Sequence, residues 1–89
     1  GVGGATARAI GNKLLKIGNT QQTIVVTHSP QVAAKGNHHI LIKKSIIENE
    51  TITETFELNH QEKIEEIARM ISDDNISDEA RNAALKLLN

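Results

Sequence analysis

One histidine of this sequence stands where it could contact a phosphate. His28 follows the β-branched run 23–27 and precedes Ser29 and Pro30, two residues that favour the start of a helix. In parallel α/β sheets, ligands collect beyond the carboxyl ends of the strands, and a helix N-terminus there favours an anion. An imidazole at such a place can donate a hydrogen bond to a terminal phosphate oxygen or orient an attacking water. Most histidines at strand ends are capping or packing residues, so the pattern alone is a weak signal.

The other histidines do not indicate a metal site. His38 and His39 are neighbours in a predicted strand, and adjacent strand residues point to opposite faces. The sequence has no cysteine, and no nearby carboxylate completes a ligand set. We therefore expect His38 and His39 to face solvent or a sheet edge, and His60, at the start of a predicted helix, to be exposed.

Several acidic residues share one predicted helix with two cations. We expect ion pairs on a solvated helix face and not a catalytic carboxylate pair. The residues are Glu62, Glu65 and Glu66, with Lys63 and Arg69. The polar stretch 73–75 that follows is typical of a turn between helices.

The groups that bind nucleotide phosphates and magnesium are missing from this stretch of sequence. There is no glycine-rich phosphate loop ending in Gly-Lys-Ser or Gly-Lys-Thr, and no Asp-Glu pair follows an apolar strand. A phosphate contact by His28 would thus be one component of a larger site.

The elements around His28 predict an α/β layer. Apolar residues at helical spacing predict a helix over 5–17, with Gly18 and Asn19 as a left-handed stop. The run 23–27 has no polar alternation, which is typical of a central strand covered on both faces in a parallel sheet. Ser29 as N-cap, Pro30 at the first helical position and Gly36 beyond the end predict about two helical turns.

The second half of the chain predicts a hairpin and two helices. The runs 38–44 and 51–58 read as strands joined by the polar turn 48–50, which makes an antiparallel hairpin at a sheet edge the simplest arrangement. Asn59 with Glu62 forms a possible capping box for a helix with an apolar stripe along 64–71. Ser77 is the expected N-cap of the last helix.

Composition sets the scale of the fold. The 89 residues allow one domain, with 38% hydrophobic residues and Phe56 as the only aromatic, so the core must be aliphatic and thin. The net charge of -1 is too small to attract the chain to nucleic acid or to an anionic membrane surface. No apolar run is long enough to span a membrane. A thin core and a start without Met lead us to expect a fragment of a larger fold.

Three segments resemble the RecN family, SMC-like members of the ABC ATPase superfamily. The stretch 27–34, which reads Thr-His-Ser-Pro-Gln-Val-Ala-Ala, is similar to the family's switch-histidine segment. Residues 66–70 are similar to its tail, and residues 1–5 to its D-loop and following helix. The resemblance covers nearly the whole chain, so residues 1–89 are expected to be a C-terminal fragment of an ABC ATPase head, a P-loop NTPase fold.

The resemblance implies a role for two sites. His28 would be the switch histidine that contacts the γ-phosphate of ATP. Gly1, Val2, Gly3 and Gly4 would belong to the D-loop, which lies across the head dimer interface, although Gly3 stands where the family often has Ser. ATP and Mg²⁺ would be bound by the full-length parent, while the fragment alone would bind neither and would be inactive.

The resemblance also implies a biological setting. The parent would be a cytoplasmic, nucleoid-associated bacterial ATPase that acts on DNA in recombinational repair of double-strand breaks. Its partners would be the N-terminal half of the same head, a second head in a homodimer, and DNA, with no membrane. The alternative is a module without catalysis, in which the last two helices form a helix-turn-helix for DNA or a docking surface for protein. The acids that begin the last helix argue against DNA reading.

Overall fold

The computed structural model describes residues 3–73 and 75–89, which form four helices and one two-stranded sheet. The elements are α1 (Gly4–Gly18), α2 (Pro30–Ala33), β1 (Ile40–Ile47), β2 (Glu50–Glu57), α3 (His60–Ser72) and α4 (Asp78–Leu88). The molecule measures 43 × 33 × 27 Å. No helix among the described residues is long and apolar enough to span a membrane.

Helix α1 lies where the apolar spacing predicts it, but it ends differently. Its last residue is Gly18, and Asn19 caps it with right-handed angles, φ -69° and ψ -24°. The expected left-handed stop is therefore wrong. The Asn19 amide is bonded instead to carbonyls of the last helical turn, those of Leu15 and Lys16, which closes the helix without a positive φ.

Strands β1 and β2 follow each other in the chain and pair antiparallel, as the hairpin prediction requires. Ile40 pairs with Glu57 at one end and Ile47 with Glu50 at the other. The two turn residues, Glu48 and Asn49, have φ of 52° and 67°. Two consecutive positive φ values are what a two-residue type I′ hairpin turn requires.

Helices α3 and α4 begin with the predicted caps. The Glu62 amide donates to Asn59 Oδ1 at 2.8 Å, and the Asn59 amide donates to Glu62 Oε1 at 2.9 Å, so the capping box is complete. The Ala80 amide donates to Ser77 Oγ at 3.1 Å. These bonds satisfy amides that have no partner inside their helices.

The core is aliphatic and small, as the composition predicts. It lies where α3 packs on α4 and on the end of α2, and its largest fully buried side chain is Ile67. Around it are Ala34, Ile64, Ala68, Ala80 and Ala84. Helix α1 stands apart from this cluster and packs against α2.

The predicted central parallel strand does not form. Residues 22–29 form neither helix nor strand, and the sheet described here contains β1 and β2 alone. Ile24 is 86% exposed and Val26 91% exposed. A strand needs a neighbour to satisfy its amides and carbonyls, and β1 and β2 pair with each other. The chain is therefore α/β, with an antiparallel two-stranded sheet beside its helices.

Candidate functional site

The loop that carries His28 is held by hydrogen bonds on both sides of the histidine. The Ser29 amide donates to Thr27 Oγ1 at 3.0 Å, which bridges across His28. The Ser29 hydroxyl accepts from the Val32 amide at 3.4 Å, so Ser29 caps α2 as predicted, and it donates to Gln31 Oε1 at 3.1 Å. His28 itself is exposed. The backbone on either side is thus fixed while the imidazole remains accessible.

Two of the four N-terminal site residues predicted from the sequence are described, and one lies against the histidine loop. Gly3 is the N-cap of α1, with φ -66° and ψ 163°. Gly4 starts the helix, and a Cβ placed on it would stand 3.4 Å from Gln31 Nε2. Gly1 and Val2 lie outside the described residues. The structure thus brings Gly4 next to the segment that follows the histidine.

A cavity joins His28 to one face of α3. It has a volume of about 280 Å³ and is lined by His28 together with Glu66, Arg69, Met70 and Asp73. The three α3 residues Glu66, Arg69 and Met70 are spaced three and four apart, so they share one side of the helix, and Asp73 is its C-cap. The last two turns of α3 are therefore the wall beside the histidine.

An ion pair forms part of this wall. The Glu66 side chain is 9% exposed and the Arg69 side chain 54%. Arg69 Nε donates to both carboxylate oxygens of Glu66, at 3.1 and 2.9 Å, and Nη2 also donates to Oε1. This hydrogen bonding raises the pKa of Arg69 above its ordinary value. The guanidinium is thereby fixed in orientation, since it binds the carboxylate through two nitrogens.

The expectation of a solvated acidic face is wrong for Glu66. The residue is buried, and it lines two cavities beside α3, one shared with His28 and the other with Leu41, Leu58 and Ile76. A signal for this was present in the sequence: Met70 lies four residues beyond Glu66 and extends the apolar side of the helix toward it. Glu62, by contrast, is exposed and serves in the capping box.

The other histidines behave as polar surface and packing groups. His38 Nδ1 lies 3.0 Å from Glu57 Oε1, and both side chains are exposed. His39 is partly buried, and burial lowers its pKa. His60 is exposed, as predicted. Among residues 3–73 and 75–89, no group of three or more His, Cys, Asp or Glu side chains is placed to hold a metal ion.

Helix α4 offers little to a DNA backbone. Of its two cations, Arg81 is paired with Glu65 at 3.0 Å and with Asp78 at 3.2 Å. Its first turn carries two acids, Asp78 and Glu79. A recognition helix needs free cations toward phosphate, so this arrangement does not favour DNA reading.

Comparison with known proteins finds close similarity to one group. Over 88 residues, which is 99% of the chain, the sequence is 44% identical to the DNA repair protein RecN of Rickettsia felis and 48% identical to that of Xylella fastidiosa. It is 40% identical to the DNA repair protein RecN of Deinococcus radiodurans over the same length. No protein-family model matches the chain.

The match covers a small part of these relatives. The chain spans 16% of the length of the Rickettsia and Xylella proteins and 15% of the Deinococcus protein. The similarity therefore concerns this region of those proteins and does not extend to the rest of their length.

Proposed function

This chain is homologous to part of the DNA repair protein RecN along 99% of its length, and from that premise we propose that it forms part of the ATPase head of a RecN-type protein. In this proposal His28 contacts the terminal phosphate of ATP. The supporting observation is the position of His28: it is exposed, and the hydrogen bond between Ser29 and Thr27 holds the loop around it.

The unpaired segment before His28 supports a larger head. Residues 23–27 form neither helix nor strand, and Ile24 and Val26 are almost fully exposed. Exposing two large aliphatic side chains is unfavourable by about 1.5–3 kcal/mol each relative to burying them. We propose that the N-terminal half of the head covers this segment and pairs with it, so that it becomes the central parallel strand of an ABC-type fold. Residues 1–89 would then be the C-terminal part of that domain.

The nucleotide site must be completed by other parts of the parent. The described residues provide no group of carboxylates or histidines that fits a metal ion, so we assign no magnesium ligand to them. The phosphate loop and the acids that hold magnesium belong, in this proposal, to the rest of the head. The 89-residue chain alone is accordingly proposed to bind no nucleotide.

His28 has a defined chemical task in such a site. Transfer of the terminal phosphoryl group of ATP to water develops charge on the phosphoryl oxygens. A ring N–H of His28 that donates to one of these oxygens stabilises that charge, and because the loop is already fixed, little reorganisation is needed at the moment of reaction. The contribution is to the rate of the chemical step more than to the binding of ATP.

The N-terminal glycines complete the proposed site. Gly4 lies next to Gln31, three residues beyond His28. We propose that Gly1, Val2, Gly3 and Gly4 form the D-loop, through which a second head of a homodimer senses the nucleotide. The parent would use this ATP-dependent dimer in recombinational repair of DNA double-strand breaks, in the bacterial cytoplasm at the nucleoid.

Steady-state kinetics of the full-length protein tests the proposal. His28→Ala should lower kcat by about 10²–10³-fold, the usual effect of losing one donor to a developing anion, with a much smaller change in KM for ATP. His60→Ala is the matched control, because His60 is also exposed but lies at the start of α3. Equal kcat in the two variants would refute the role of His28.

Isothermal calorimetry of the 89-residue chain tests the proposal that this chain alone binds no nucleotide. No heat of binding is expected with ATP and magnesium. A stoichiometric, magnesium-dependent complex would show that the chain holds a nucleotide site by itself, and would overturn the division of the site between this chain and the rest of the head.

A further inference from the structure

We propose that Arg69, held in place by Glu66, is a positioning residue for His28. The inference rests on the proposed function, because it concerns the same site. It adds to that function a pair of residues in α3 that act on the reaction through the histidine.

The first observation is the shared cavity. His28 comes from the loop before α2, whereas Glu66 and Arg69 come from the second half of α3, and all three line one cavity of about 280 Å³. The sequence separates His28 from Arg69 by some forty residues. Their meeting is thus a product of the packing of α2 against α3 and not of local chain geometry.

The second observation is the hydrogen-bonded ion pair between Glu66 and Arg69 on one side of the cavity. The Glu66 carboxylate is nine-tenths buried, and both of its oxygens accept hydrogen bonds from Arg69. A buried carboxylate strongly requires such a partner, since an uncompensated charge in the protein interior is costly. Glu66 therefore fixes the guanidinium, and Arg69 lines the same cavity as the exposed imidazole.

The consequence is a restriction on His28. The imidazole is exposed, and the hydrogen bonds of its loop involve the backbone and the side chains of Thr27, Ser29 and Gln31. The loop thus fixes the backbone of His28, and Arg69 borders the cavity on which the exposed ring lies, so that it restricts the positions of the ring on that side. A reacting group displaced by about 1 Å can lose roughly a hundredfold in rate, so such a limit matters for turnover even without contact to the nucleotide.

The ion pair between Glu65 of α3 and Arg81 of α4 provides a matched control. Arg81 Nε donates to the Glu65 carboxylate at 3.0 Å, which matches the Arg69 Nε to Glu66 distance of 2.9 Å. Arg81 does not line the cavity that contains His28. Removing Arg81 therefore removes a similar interaction with a glutamate of α3 and leaves the residues that line the His28 cavity unchanged.

The experiment is a double-mutant cycle in the full-length ATPase. Arg69→Met should lower kcat about tenfold with little change in KM for ATP, because the ring is misplaced and the nucleotide is still bound. Arg69→Lys should recover only part of the rate, since lysine keeps the charge but cannot bind the carboxylate through two nitrogens. In a His28→Ala background, Arg69→Met should have no further effect on kcat.

The outcomes separate this inference from the proposed function. If His28→Ala alone leaves kcat unchanged, the function proposed for His28 fails. If His28→Ala lowers kcat but Arg69→Met is additive with it, or if Arg81→Met lowers kcat equally, the positioning role fails and the function stands. Should Arg69→Met not fold, Glu66→Gln releases the guanidinium with less disturbance, and its effect on kcat must likewise vanish without His28; additivity there refutes the role.

Discussion

Gly11 of α1 lies directly against the main chain of Gln31 in α2. A Cβ placed on Gly11 would be 3.1 Å from the Gln31 carbonyl oxygen and 3.0 Å from Lys35 Cγ. The small residues Gly4, Ala7 and Gly11 are spaced three and four apart, so they share the side of α1 that meets α2. This close approach joins the N-terminal helix to the segment that carries His28.

Gly11→Ala should destabilise the chain although alanine is the better helix former. The substitution gains about 1 kcal/mol of helix propensity but forces the Gln31 carbonyl away, and backbone cannot yield as a flexible side chain does. We expect a net loss of about 1 kcal/mol in urea unfolding. Gly18→Ala is the control, since a Cβ there would meet nothing within 4 Å and stability should be unchanged or raised. Equal effects at both positions would disprove tight packing at Gly11.

The hairpin turn predicts a stabilising substitution. Glu48 has φ 52°, a left-handed conformation that is unfavourable for most residues by about 1–2 kcal/mol and less so for asparagine. Glu48→Asn should therefore raise the free energy of unfolding by up to about 1 kcal/mol. The same change at Glu50, which pairs with Ile47 inside the ladder, should be neutral or destabilising. A gain at Glu50 but not at Glu48 would contradict the turn geometry.

The stability of the chain should fall in mild acid because of His39. Burial lowers its pKa below the ordinary 6.5, with the charge of Lys63 adding to this shift and that of Glu66 opposing it. Above pH 6.5 the ring is neutral in both states. As the pH falls below 6.5 the unfolded chain takes up the proton first, so the free energy of unfolding decreases until the folded ring is also protonated.

Urea unfolding between about pH 8 and pH 5 measures this effect, with the range chosen to bracket the ordinary histidine pKa. His39→Gln should show a shallower loss of stability on acidification than the parent chain. His60→Gln, which changes an exposed ring, should follow the parent. If the free energy of unfolding of His39→Gln fell with pH as steeply as that of the parent chain, His39 would not be the cause of the acid sensitivity.

Most local features of the fold could be predicted from the sequence, although the left-handed stop after α1 was wrong. The features that depend on distant residues could not. Ser29, Asn59 and Ser77 cap their helices as expected, because a cap bonds to amides two or three residues away and needs no other element. The hairpin follows for a similar reason, since its two strands are neighbours in sequence.

Two predictions failed where distant residues decide the result. The run 23–27 has the composition of a central strand, but its pairing depends on neighbouring strands that the described residues do not provide. Glu66 was expected on a solvated face and is buried, because residues from other elements, among them His28, Leu41 and Leu58, lie beside the face of α3 that carries it. Helical spacing shows which residues share a face and not what that face meets.

The exposed segment 23–27 leads to a prediction that compares the 89-residue chain with the full-length protein. Val26→Asp should change the stability of the 89-residue chain by no more than about 0.5 kcal/mol, since Val26 is 91% exposed there. In the full-length protein the same substitution should lower the melting temperature of the head and its soluble yield, because the aspartate would be buried in the sheet. Equal tolerance in both would show that the segment remains uncovered.

Single-turnover hydrolysis of ATP by the full-length protein with His28→Ala tests most directly whether His28 contacts the terminal phosphate. Rapid mixing of ATP with excess enzyme measures the rate at which the terminal phosphate is cleaved, and product release does not affect this rate. If His28 contacts that phosphate in the transition state, cleavage should be slowed about 10²–10³-fold while ATP remains bound. Cleavage at the unsubstituted rate, with ATP bound equally well, would contradict the assignment of His28.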